Sequence, residues 1–260
     1  MNFILNLNPI VQTIFATLFT FLVTVLGSSL VFIFKKPNKT IMDAMLGFAS
    51  GVMISASFWS LLNPALEMAQ SLNFNSWFVA TIGFILGGIF LFAGDKLYDL
   101  LAKNSIQKKR SFMLILSITL HNIPEGLAVG VAFGSILYGL EGANVLTASL
   151  LALGIGIQNF PEGTAISIPL KRDGYSTSKA FLYGSLSGIV EPIAGIIGCL
   201  MVQKIKFILP FVLSFAAGAM IYVVVQELIP ESQTNEKKDL MALFTLIGFA
   251  LMMVLDLAFS

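Results

Sequence analysis

Cysteine and histidine are almost absent from this chain, which holds one of each, Cys199 and His121, in 260 residues. A lone cysteine closes no internal disulfide, and in an apolar run it reads as a small packing residue. A lone histidine excludes the paired-histidine motif H-E-x-x-H of zinc proteases. Charge is scarce as well: 11% of residues are charged, against roughly 25% in soluble domains. The net charge is +1, so no global field points to nucleic acid or to acidic partners. The first basic residue is Lys35, and a cleaved secretory signal, which starts with a basic region, is not expected. Hydrophilic domains and low-complexity tracts are missing too.

What is abundant is apolar. Hydrophobic residues make up 57% of the chain, and the mean hydropathy is +0.89. The expected class is all-α: a polytopic membrane bundle forming one domain over residues 1–260. A spanning helix needs about 20 apolar residues. Segments near 10–34, 42–69, 77–99, 111–138, 145–169, 179–203, 207–230 and 240–258 meet that length. The spacings Gly83-x-x-x-Gly87 and Gly184-x-x-x-Gly188 suit close helix approach.

Basic residues orient the bundle. Alternate connections hold Lys35, Lys36, Lys39, Lys96, Lys103, Lys108, Lys109, Arg110, Lys171, Arg172, Lys179, Lys237 and Lys238 on one side, and Lys204 and Lys206 on the other. The rich side is expected in the cytoplasm. Eight spans then put both termini outside, in what we expect to be a bacterial cytoplasmic membrane.

One six-residue pattern occurs twice. It reads His121-Asn122-Ile123-Pro124-Glu125-Gly126 and returns as Gln158-Asn159-Phe160-Pro161-Glu162-Gly163. A third acid, Glu191, precedes Pro192. A carboxylate in hydrocarbon is costly unless something binds it. Each proline strips a hydrogen bond from the carbonyl four residues back, Leu120 or Ile157, and a kinked or broken helix is expected there. Glu125 lies about 22 Å along its helix, near mid-membrane, at about 1.5 Å per residue. Glu162 and Glu191 fall near the same level.

His121 with Glu125, and Gln158 with Glu162, are spaced i, i+4 and share a helix face. The spacing offers two neighbouring clusters. One is His121, Glu125, Gln158, Glu162 and Glu191. The other is Asn122 and Asn159 with the same carboxylates as bridges. One imidazole with oxygen donors suits zinc, cobalt, nickel, iron(II), manganese or cadmium better than copper(I). The absence of thiolates fits reversible binding. Read singly, His121 could be a packing residue, the asparagines could bridge helices, and the prolines could be simple kinks. Gln226, Glu227, Glu231, Asp95 and Asp99 read as either exit-lining groups or solvated helix ends. Glu67 and Asp256 lie toward the outer face.

These motifs resemble those of ZIP-family metal transporters, and SIPLKRDGYSTSKAFLYGSLSGIVEPIAGIIG, from Ser167 to Gly198, is similar to their GufA-like branch. The resemblance implies divalent-metal uptake, zinc foremost, through a binuclear midplane site on helices four to six. It implies first-metal ligands His121, Glu125, Gln158, Glu162 and Glu191, and a second metal on Asn122, Asn159 and shared carboxylates. It further implies a 3+2+3 helix order with inverted repeats, helices one, four, five and six moving against the rest, and a homodimer. It implies no organic cofactor and no catalytic residue. Many members carry His where this chain has Gln158, and a His-rich loop where Asp99 to Arg110 has none. Two competing readings are an intramembrane metalloenzyme, since a bound metal can activate water, and a carboxylate-based proton or cation translocator.

Overall fold

A computed structural model describes residues 7–33, 39–101, 106–139 and 143–259. Lys35, Lys36 and Lys103, used above for orientation, and both chain ends lie outside the described residues. The described residues are almost wholly helical, with no strand among them. Eight helices follow in order: α1 Pro9–Phe32, α2 Lys39–Ser71, α3 Ser76–Leu101, α4 Ile106–Leu137, α5 Val145–Arg172, α6 Thr177–Leu200, α7 Val202–Ser232 and α8 Lys238–Phe259.

Local chemistry sets several of the ends. The Asn8 side chain accepts from Ile10 N at 2.9 Å, just ahead of Pro9 at the first helical position; both are helix-start signals. Asn144 caps α5 by accepting from Thr147 N, and Ser176 caps α6 by accepting from Lys179 N. α5 stops at Gly174, whose φ is +91°. Tyr175 N there bonds back to Leu170 O at 3.1 Å, a six-to-one closure that needs a left-handed residue.

Seven of the eight helices are long and apolar enough to span a bilayer. The fifth, α5, falls short of that standard, although the sequence counts it among eight segments of spanning length. The reason is its position. α5 is packed by α1, α2, α4, α6 and α8, and the whole run Pro161–Leu170 is buried. Its first half exposes Leu146, Leu150 and Leu153, but Gln158, Asn159 and Glu162 lie on its buried side.

The outer helices invert the soluble pattern. α1 buries Thr13, Thr17, Thr20 and Thr24 and leaves Phe15, Leu22 and Leu26 exposed. Each threonine hydroxyl donates to a carbonyl three or four residues earlier, at 2.8 to 3.3 Å. Lipid is as apolar as leucine, so small and polar residues, not large apolar ones, take the helix interface.

Tight crossings join α1 to α5, α4 to α6, α2 to α8 and α3 to α7. Glycine makes them possible. A Cβ on Gly126 of α4 would sit 2.5 Å from Glu191 O, and one on Gly83 of α3 would sit 2.8 Å from Phe211 O. The Gly184-x-x-x-Gly188 pair faces Ser28 and Thr24 of α1. Gly83 and Gly87 thus lie at the α3–α7 crossing, and Gly184 and Gly188 where α6 meets α1.

The prolines of the repeated motif do not break their helices. Pro124 and Pro161 lie inside α4 and α5, which stay helical throughout. Each removes one hydrogen bond, and neighbouring helices support the remainder. The irregular turns lie elsewhere. α6 tightens to a 3-10 turn at Ser187–Ile189, just before Glu191. α2 and α7 widen to π turns at Ser57–Leu62 and Val224–Leu228, just ahead of Pro64 and Pro230.

Candidate metal centre

His121 and Glu125 sit one turn apart on α4, and Glu162 comes from α5. His121 Nε2 lies 2.9 Å from Glu162 Oε1 and 3.1 Å from Glu125 Oε1. None of the three is more than 2% exposed. A ligand atom from each falls within 4.8 Å of the others, the one such group of metal-binding side chains among the described residues.

The amides frame this cluster. Asn122 donates through Nδ2 to Ser187 O, in the 3-10 turn of α6, at 3.0 Å. Asn159 donates through Nδ2 to both Glu191 carboxylate oxygens at 2.9 Å and to Thr20 O of α1 at 3.2 Å. Gln158 donates through Nε2 to Asp256 Oδ1 of α8. The same Asp256 oxygen accepts from Ser60 Oγ at 2.7 Å.

In all three amides, therefore, the NH2 is used and the carbonyl oxygen is not. Asn122 Oδ1, Gln158 Oε1 and Asn159 Oδ1 are buried without a hydrogen-bond partner. So are both Glu125 oxygens and Glu162 Oε2, with Glu125 Oε1 beside His121 but not aligned to it. Buried polar atoms are nearly always paired. A set of unpaired acceptors at one place fits a cation, which needs acceptors only.

Helix spacing groups Glu191 and Gln158 directly with His121. In the structure Glu191 packs against Asn159, and Gln158 turns its NH2 to Asp256. Asp256 is 3% exposed, a buried partner of the site, whereas Glu67 is exposed and hydrogen-bonded to Asn63. The one sequence signal for Asp256 is an acid inside an apolar run.

A cavity of about 280 Å³ reaches the cluster, with Trp59, Ser60, Met68, Glu125, Gln158 and Asp256 in its wall. It runs along the second halves of α2 and α4 and the first halves of α5 and α7. The opposite end carries a network of ion pairs. Arg172 meets Asp43 at 2.7 Å and Glu231 at 2.5 Å. Arg110 meets Asp173 and Glu231. Lys109 meets Asp95 at 2.7 Å and Asp99 at 2.8 Å. Asp95, Asp99 and Glu231 are thus ion-pair partners; Asp95 is buried, while Asp99 stays exposed at a solvated helix end.

Eight helices around a buried cluster of imidazole, carboxylates and amide oxygens define an integral membrane protein with a candidate cation site. Comparison with known proteins narrows the class. A family model described as ZIP Zinc transporter matches residues 101–256. The chain is 38% identical to Zinc transporter ZIP11 of Xenopus tropicalis, across 96% of this chain and 97% of that protein. It is 36% identical to Zinc transporter ZIP11 of Homo sapiens over the same shares. It is 32% identical to Zinc transporter GufA of Myxococcus xanthus, across 90% of this chain and 94% of that one. The chain belongs to the ZIP zinc transporter family.

Proposed function

We propose that this protein moves divalent transition-metal ions, zinc foremost, across the membrane into the cytoplasm. The observation that carries the reading is the uniform state of the amides: the NH2 of Asn122, Gln158 and Asn159 is engaged in each case, and each carbonyl oxygen is buried without a hydrogen-bond partner. Imidazole and carboxylate donors suit zinc, with iron, manganese, cobalt and cadmium as neighbours in ligand preference. The first ion is held by His121, Glu125, Gln158, Glu162 and Glu191. A second uses Asn122, Asn159 and the shared carboxylates, with Glu191 already against Asn159.

An inverted repeat is part of the proposal. Exchanging α1 with α6, α2 with α7, α3 with α8 and α4 with α5 maps the four tight crossings onto themselves. The π turn before a proline also recurs in α2 and α7, which that exchange pairs. We assign α1, α4, α5 and α6 as the group that carries the ion against the other four. The inner ion pairs fit this division, because Arg110–Glu231, Arg172–Asp43 and Lys109–Asp95 each join one group to the other. The cavity on the opposite side then serves as the outer mouth.

Purified protein in sealed vesicles, loaded with a zinc-sensing dye, tests the function. Zinc influx that a Glu162→Ala variant loses supports it. Protein that binds no transition metal but moves protons or sodium would favour the translocator reading. Peptide or lipid hydrolysis without flux would favour the metalloenzyme.

A further inference from the structure

We propose that Asp256 is a positioning residue that sets which end of the Gln158 amide faces the metal site. The inference rests on the function proposed above. An amide has two faces of opposite character, two N–H donors and a carbonyl acceptor, and only the carbonyl can ligate a cation. Rotation by half a turn about its last bond exchanges them. Something must therefore hold Gln158 the right way round.

Asp256 meets that need. Its Oδ1 accepts from Gln158 Nε2, and a carboxylate oxygen offers nothing to a carbonyl, so the NH2 is drawn to it. Gln158 Oε1 is left buried and without a partner. Ser60 Oγ donates to the same Asp256 oxygen at 2.7 Å, and so pins the carboxylate in turn. The chain of orientation runs from α2 through α8 to α5, and Glu125, Gln158, Ser60 and Asp256 share one cavity wall. Such outer partners orient ligands in metal sites generally, and their loss typically costs 10–100-fold in affinity.

The test is a double-mutant cycle on zinc affinity, measured by calorimetry on detergent-purified, full-length protein. Asp256→Ala is expected to weaken zinc about 10–100-fold in the wild-type background. In a Gln158→Ala background the same change should cost nothing beyond about twofold, the usual additivity error. Asp256→Asn keeps an acceptor oxygen at the same place and should retain most of the affinity. Ser60→Ala loosens the anchor only, so its smaller loss should also vanish in Gln158→Ala, and it serves where Asp256→Ala does not fold. An equal loss from Asp256→Ala with and without Gln158 would overturn the inference, because Asp256 would then act on the ion or on the fold directly. A collapse in Asp256→Asn as deep as in Asp256→Ala would overturn it as well, since charge rather than hydrogen-bond acceptance would be at work. Wild type that binds no zinc would overturn the site itself, which separates that failure from this one.

Discussion

Replacing Glu162 by Ala removes the nearest neighbour of His121 Nε2, at 2.9 Å. The imidazole keeps one carboxylate, Glu125, at 3.1 Å. The formal charge of the three acids drops from −3 to −2, against a +2 cargo. Removing a group that only orients a ligand costs 10–100-fold in affinity. Removing a proposed ligand should reach the top of that range or beyond, so a loss of at least ~100-fold is expected, or ~2.7 kcal/mol. The protein should still fold, because Ala at 162 is a good helix former and leaves Glu125 beside His121. The assay is zinc calorimetry beside uptake in vesicles, with thermal unfolding as the folding control. Glu67→Ala is the matched control: Glu67 is exposed and bonded only to Asn63, and uptake should not change. A folded Glu162→Ala protein that binds zinc within about threefold of wild type, ~0.6 kcal/mol, would refute the site.

Four further outcomes are expected. Zinc affinity should rise with pH across roughly 5.5 to 8, because metal competes with protons for imidazole and carboxylate and only the deprotonated forms ligate; calorimetry at several pH values checks this. Gln158→His adds an imidazole and should strengthen zinc more than manganese, read as the ratio of the two affinities in competition. Arg110→Ala leaves Asp173, whose side chain is 2% exposed, with Ser111 as its remaining hydrogen-bond donor; breaking such a buried pair costs about 3–5 kcal/mol, read by denaturant unfolding in detergent. A tag after Ser260 should label in intact cells, and labelling only after the membrane is breached would reverse the orientation.

The number of helices was legible in the sequence alone, because long apolar runs interrupted by basic loops are how a chain meets a bilayer. The repeated pattern also pointed to His121, Glu125 and Glu162, which the structure brings together, since a buried acid repeated with its histidine or amide has few other uses. Helix faces were not. Hydrophobic periodicity separates water from core, but lipid and core are both apolar, so nothing in α1 announced that threonines point inward and phenylalanines outward. The Gln158–Asp256 pair joins residues 98 positions apart, and no local pattern encodes it. The same holds for the ion pairs at the end of the bundle away from the cavity, where Asp43 and Glu231 meet arginines of α4 and α5. Local sequence decided what must be buried. Which buried group meets which, and which end of each amide is left free, was decided only when the helices packed, because those choices depend on hydrogen-bond partners supplied from other helices.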